Sequence, residues 1–165
     1  MLLDRFRAKA EATSAAVLLA ADEDAAADLV LAAAPAAAGT SSLAASFPTV
    51  ARRLAPRPAL PDAAAEIVAA GRFAVAETGS VALAEAAADR SACWLAERLW
   101  LLVPAGAIEP TLEAALARVA ALVREGAPHV TLMSGPSRTA DIERVLTIGV
   151  HGPREVRVVL VGSVA

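Results

Sequence analysis

Between Ser134 and Pro153 the chain reads Ser-Gly-Pro-Ser-Arg-Thr-Ala-Asp-Ile-Glu-Arg-Val-Leu-Thr-Ile-Gly-Val-His-Gly-Pro, a polar, Gly/Pro-punctuated stretch between two apolar runs. Its residue types suit an anion. Ser134, Gly135, Ser137, Arg138 and Thr139 lead into an expected helix start, where Ser137 or Thr139 can cap, backbone N–H groups can meet a negative charge, and Arg138 offers a bidentate fork. The plainer reading is an ordinary capped turn, with Asp141 answering the helix dipole. His151, ahead of Gly152 and Pro153, can serve as acid, base or ligand near neutral pH, or can hold the turn by a backbone hydrogen bond. The loop lacks the Gly-Lys-Ser/Thr ending of a nucleotide P-loop.

A second candidate is the turn Glu77-Thr78-Gly79-Ser80. A carboxylate held between apolar strands can have a raised pKa or act as a nucleophile; the alternative is a solvated hairpin glutamate. Cys93 reads as a small buried residue, Trp94 and Trp100 as core, and His129 as structural. The two histidines have no metal-ligand spacing, and no serine sits in a nucleophile elbow.

These residues need a frame. Residues 2–13 read as a helix and 15–20 as a buried strand; Asp22-Glu23-Asp24 starts a helix that Pro35 stops. Residues 35–62 read as an irregular surface connector. Asp62 is expected to cap a helix over 63–70 that Gly71 ends. Phe73–Glu85 reads as a hairpin around the Gly79 turn, and 89–96 as a short helix. Arg98–Pro104 is an expected buried strand. A helix opening at Pro110 follows, with Leu112, Leu116, Val119 and Val123 on one apolar face and Gly126 at its end. His129–Met133 is the next strand, giving a βαβ unit with parallel strands and a right-handed crossover. A short helix over 141–146 and a last strand over 155–161 complete the pattern. The sum is an α/β protein, an open, mostly parallel sheet flanked by helices with an antiparallel hairpin, in which ligands bind beyond the carboxyl ends of the strands.

Composition narrows the function. The 165 residues suit one domain spanning 1–165. A net charge of −3 without a dense basic run argues against a phosphate-backbone footprint, and an aromatic fraction of 3% argues against a base-stacking platform, so no nucleic acid partner is expected. One cysteine can form no internal disulfide and cannot by itself hold zinc or an iron–sulfur cluster; no metal is expected on this chain. No stretch suits a membrane span. The basic residues Arg5, Arg7 and Lys9 ahead of Ala15–Ala21 imitate a leader, but Asp4 and Glu11 interrupt the pattern, and a cytoplasmic protein is expected.

Four groups of residues carry a family resemblance: Ala76-Glu77-Thr78-Gly79-Ser80; Leu102-Val103-Pro104 with Ile108-Glu109-Pro110-Thr111-Leu112; Ser134-Gly135-Pro136-Ser137-Arg138-Thr139-Ala140-Asp141-Ile142-Glu143; and Gly149-Val150-His151-Gly152-Pro153-Arg154-Glu155. In order and spacing, from about Gly71 to Gly162, they closely resemble the lactate-utilisation protein C family, the LUD domain. The first seventy residues match loosely. The resemblance implies a fold related to the sugar-phosphate isomerase and coenzyme A transferase superfamily. It also implies a role beside two iron–sulfur partner proteins in oxidising L-lactate to pyruvate in bacteria, with the clusters on the partners and a small carboxylate as a ligand. Glu77-Thr78-Gly79 is similar to the catalytic-glutamate turn of coenzyme A transferases, with threonine in place of the usual asparagine. That likeness implies an alternative: a stand-alone transferase or isomerase using Glu77, with Arg138 and His151 holding an anionic substrate. A third reading is a scaffold without catalysis.

Overall fold

A computed structural model describes residues 1–54, 65–127, 129–136, 138–139, 147–148 and 152–163, with residues 138–139 and 147–148 described as backbone only. The expected helix over 141–146, the start of that over 63–70 with its cap Asp62, and the candidate residues Ser137, Asp141 and His151 lie outside the described residues.

The elements run α1 (Leu2–Ala12), β1 (Ala15–Ala20), α2 (Glu23–Ala33), β2 (Ala38–Gly39), α3 (Leu43–Ser46), α4 (Pro48–Arg53), β3 (Glu66–Val75), β4 (Ser80–Leu83), α5 (Ala87–Leu95), β5 (Arg98–Pro104), β6 (Ile108–Glu109), α6 (Leu112–Arg124), β7 (Thr131–Met133), β8 (Arg138–Thr139), β9 (Thr147–Ile148) and β10 (Glu155–Val161). The main sheet has the order β1-β10-β5-β3-β4-β7, with the short strands β2 and β6 also on β3. The pairs β1–β10, β10–β5 and β5–β3 are parallel, whereas β3–β4 and β4–β7 are antiparallel. The mostly parallel α/β sheet with an antiparallel hairpin is therefore what the structure holds.

β3 organises the sheet. Glu66–Ala70 pairs with β5, Ala74–Val75 pairs with β6, and Gly71–Val75 pairs with β4 across an irregularity between Gly71 and Phe73. The expected helix over residues 63–70 is thus corrected, since residues 66–70 are strand. Local alanine propensity gives way to burial on both faces, which a central parallel strand requires. Gly71 terminates nothing. It lies inside the strand, where a Cβ would come within 2.6 Å of the Val103 and Val81 side chains.

The helices cover the two faces. On one, α1 sets Phe6 and Ala10 against Ile67, Leu99, Leu101, Val156 and Val158, and the same apolar cluster takes in Ala74, Val81 and Met133 from the hairpin side. On the other, α2, α3 and α4 set Val30, Leu43, Phe47 and Val50 against Val68, Trp100, Leu102 and Val159. The segment read as a surface connector therefore supplies core: Leu43 and Val50 are fully buried. Its proline-rich composition conceals an apolar spacing too short to register as an element. Asp22 caps α2 as expected, accepting from the Ala25 N–H at 2.8 Å.

β5 and β7 run in the same direction, as the βαβ reading required, but β3 and β4 lie between them. Two further corrections concern α6. Thr111 is its cap, accepting from the Ala114 N–H at 3.2 Å, so Pro110 precedes the cap and does not open the helix. Its expected apolar face is largely outward: Leu116 is 53% exposed and Val123 54%, while Ala115 and Leu122 face Phe73, Val75 and Ala82. The inward face mixes Ala115 with Leu122, and a pattern read from large residues alone does not find it.

Candidate functional site

The turn after β3 and the segment after β7 meet. Thr78 Oγ1 and Ser80 Oγ share a hydrogen bond at 2.7 Å, and Ser80 Oγ and Ser134 Oγ share one at 2.6 Å, so three hydroxyls form a chain across the β4–β7 edge. Ser80 is buried, Thr78 half-buried and Ser134 exposed. Gly79 and Gly135, with φ of 70° and 69°, adopt left-handed backbone on either side of this chain. Both lie against the last turn of α1. A Cβ on Gly79 would come within 2.4 Å of the Ala10 nitrogen, and one on Gly135 within 2.2 Å of the Thr13 carbonyl oxygen. Thr13 Oγ1 donates to Ala10 O at 2.8 Å, closing that turn.

Glu77 is exposed at the tip of the same turn, and its Oε2 accepts the Leu112 N–H at 2.7 Å. With Thr111 it meets two of the open N–H groups at the start of α6, where the helix dipole favours a carboxylate. Glu77, Thr78, Gly79, Ser134 and Gly135 are therefore brought together, with Ser80, the last residue of the candidate turn, as the link. Arg138 and Thr139 follow as β8, paired antiparallel with β9. Gly152 lies elsewhere, in the lead-in to β10, where the Arg154 and Glu155 N–H groups donate to Glu97 O at 2.9 and 3.1 Å.

A second polar cluster escaped the sequence reading. Glu85 and Asp89 are each 3% exposed. Glu85 Oε1 accepts from Ser42 Oγ at 2.6 Å and from Thr40 Oγ1 at 3.2 Å; Asp89 Oδ2 accepts from the Ser41 N–H at 3.1 Å and from Ser41 Oγ. Burial pushes the Glu85 carboxyl above the usual carboxylate range, the hydrogen bonds from Ser42 and Thr40 oppose this, and Asp89 adds to the rise. Neither half carries a motif. Glu85 and Asp89 sit among alanines as a polar helix face would, and Thr40-Ser41-Ser42 looks like turn chemistry.

At the amino ends of three central strands, Arg98 donates to Glu66 at 2.5 Å and to Glu155 at 2.5 Å, and Arg157 donates to Glu155 while lying 4.8 Å over the Trp100 ring. This network ties β3, β5 and β10 together. At Glu155, burial pulls the pKa up but is outweighed by Arg98 and Arg157, so the carboxyl sits below its usual range.

Among the described residues no group of three or more His, Cys, Asp and Glu side chains could hold a metal ion, and no helix is long and apolar enough to cross a membrane. Cys93 is buried in α5, and one thiolate does not make a cluster site. Trp100 is core as expected, whereas Trp94 is 38% exposed.

Comparison with known proteins follows the same residues. Proteins named lactate utilization protein C match this chain: one from Deinococcus radiodurans is 37% identical over 103 residues, covering 61% of this chain and 48% of its own length. One from Exiguobacterium sp. is 41% identical over 63 residues, covering 36% and 27%, and one from Geobacillus thermodenitrificans is 30% identical over 98 residues, covering 57% and 41%. The chain thus spans about half or less of these relatives' length. The crystal structure of a DUF162 family protein from Deinococcus radiodurans superposes with a TM-score of 0.71 at 25% identity, covering 98% of this chain and 96% of that one. The LUD domain model matches residues 62–161, which hold both the Glu77 turn and the whole Ser134–Pro153 segment, and the chain belongs to the LUD domain family.

Proposed function

We propose that this chain works in L-lactate utilisation as the member that carries no redox centre, beside two iron–sulfur proteins. The observation that carries the reading is the match to relatives named lactate utilization protein C. Chemistry supports the division of labour. Converting lactate to pyruvate releases two electrons and two protons, and a chain with one cysteine offers no cluster to take the electrons. They pass to clusters on the partners, while this chain binds a small carboxylate or assembles the partners. In this reading the chain acts through the Ser134–Pro153 segment, whose first residues, Ser134 and Gly135, meet the Glu77–Gly79 turn. The hydroxyl junction of Thr78, Ser80 and Ser134 beside α1 supports this reading by joining the two segments.

The test is genetic and biochemical. Deleting the gene is expected to abolish growth on L-lactate as carbon source, and the tagged chain is expected to co-purify with two iron–sulfur proteins. Unchanged lactate consumption in the deletion strain overturns the proposal.

A further inference from the structure

We propose that the outer side of α6 is a self-association surface, on which a second copy of this chain lays its own α6 antiparallel to form a weak two-fold dimer. Leu112, Leu116, Ala120 and Val123 recur at steps of four and three residues, so they share one side of the helix over about 16 Å. All four are exposed, Leu116 by 53% and Val123 by 54%. Ala115 and Leu122 are the residues that face the sheet, so this stripe is a second apolar surface outside the core. A lone exposed leucine needs no explanation, but several in line mark a contact surface.

Two charges identify the occupant. Glu113 and Arg124 are exposed in the first and last turns of α6, and their separation of about three turns puts both on one flank of the stripe. The side chain of neither is paired with a described residue, whereas Arg118 is turned inward, bonded to Glu109 at 2.6 Å and stacked over Phe73. A two-fold axis across the middle of the stripe sets one helix against the reverse of itself. Leu112 then meets the second copy's Val123, Leu116 meets its Ala120, and Glu113 meets its Arg124, each contact occurring twice. Leucine against alanine at the centre lets the helices approach closely, and opposite charges close both ends. A parallel copy would instead set Glu113 on Glu113 and Arg124 on Arg124, which repel. One helix pair of this length is smaller than a standard interface, so the dimer is weak, with a Kd on the order of 10–100 μM.

Sedimentation equilibrium of the full chain from about 5 to 500 μM tests this and is expected to show a monomer–dimer equilibrium. Leu116→Glu is expected to weaken the dimer at least about tenfold while leaving the thermal melt of the dilute monomer unchanged. Glu113→Arg and Arg124→Glu are each expected to weaken it by about tenfold alone, and an equimolar mixture of the two variants to recover the dimer, because every flank contact in the mixed pair again joins opposite charges. The mixture also separates pairing between copies from the helix dipole, which each charge serves at its own end, since mixing does not mend a weakened helix. The proposal is overturned if the chain stays monomeric throughout, if Leu116→Glu dimerises as the wild type does, or if the mixed variants remain monomeric.

Discussion

Gly79 and Gly135 are held by two demands at once: a left-handed backbone and the close approach of α1. Gly126, at the end of α6, has a positive φ but nothing within 4 Å of a Cβ, so it isolates the first demand. Gly126→Ala is expected to cost about 1 kcal/mol, or roughly 2–4 °C in melting temperature for a chain of this size. Gly79→Ala and Gly135→Ala, where the backbone itself must move, are expected to lower it at least twice as far by calorimetry. Titratable groups give a second residue-scale prediction. The folded chain holds the Glu85 proton to higher pH than the unfolded chain, so its contribution is full below the unfolded carboxylate pKa and is lost as pH rises through the folded value. Glu155 has the opposite sign: its contribution is present above its unfolded pKa and lost as pH falls through its depressed one. Urea denaturation from pH 4 to 7 should find Glu85→Gln more damaging at the acid end and Glu155→Gln more damaging at the neutral end.

Elements show what side-chain patterns reveal and what they hide. β1, β5 and β10 were legible because their apolar runs have clear polar or proline boundaries, and α2 because Asp22 caps it. β3 was not, since Ala63–Ala70 favours helix locally and only the strands on either side make it a strand. The Glu77 turn was legible as a turn from its glycine, but its bond to α6 links residues far apart in sequence, which no local pattern encodes. The inner face of α6 was misread because it runs through Ala115, Val119 and Leu122, leaving Leu116 and Val123 outward. Leu116→Gln is therefore expected to change stability by no more than about 0.5 kcal/mol, whereas Leu122→Ala should cost about 2–3 kcal/mol, both read from urea midpoints. Arg98→Met removes the cation between Glu66 and Glu155 on adjoining strands. Allowing for their partial exposure, it is expected to cost about 1–2 kcal/mol and to make the loss depend less on salt than a surface pair would.

At the scale of the whole molecule, the apolar cluster around Phe6 joins α1, the parallel strands and the hairpin side of the sheet. Phe6→Ala is expected to cost about 3–5 kcal/mol. It should also loosen the Gly79–Gly135 junction, visible as faster hydrogen exchange at Ser80, because α1 holds both turns. Fold class was readable because alternating strand and helix patterns constrain layers. The convergence of the Glu77 and Ser134 segments was suggested by the family resemblance, and the hydroxyl chain and α1 contacts that accomplish it depend on tertiary packing alone. The Glu85–Asp89 cluster was invisible for the same reason, since its hydroxyl partners, Thr40 to Ser42, come from a segment distant in sequence.

The pairing of β1 with β10 sets Ala15 opposite Val156, so β1 must wait for a strand made about 140 residues later. Until then α1 has neither its strand partner nor Gly135 to rest on. Such distant pairings slow folding, to milliseconds or longer for comparable topologies, and leave an apolar edge open meanwhile. The nascent segment holding Phe6 and the β1 edge is accordingly a part of this protein that a chaperone would be expected to hold during synthesis.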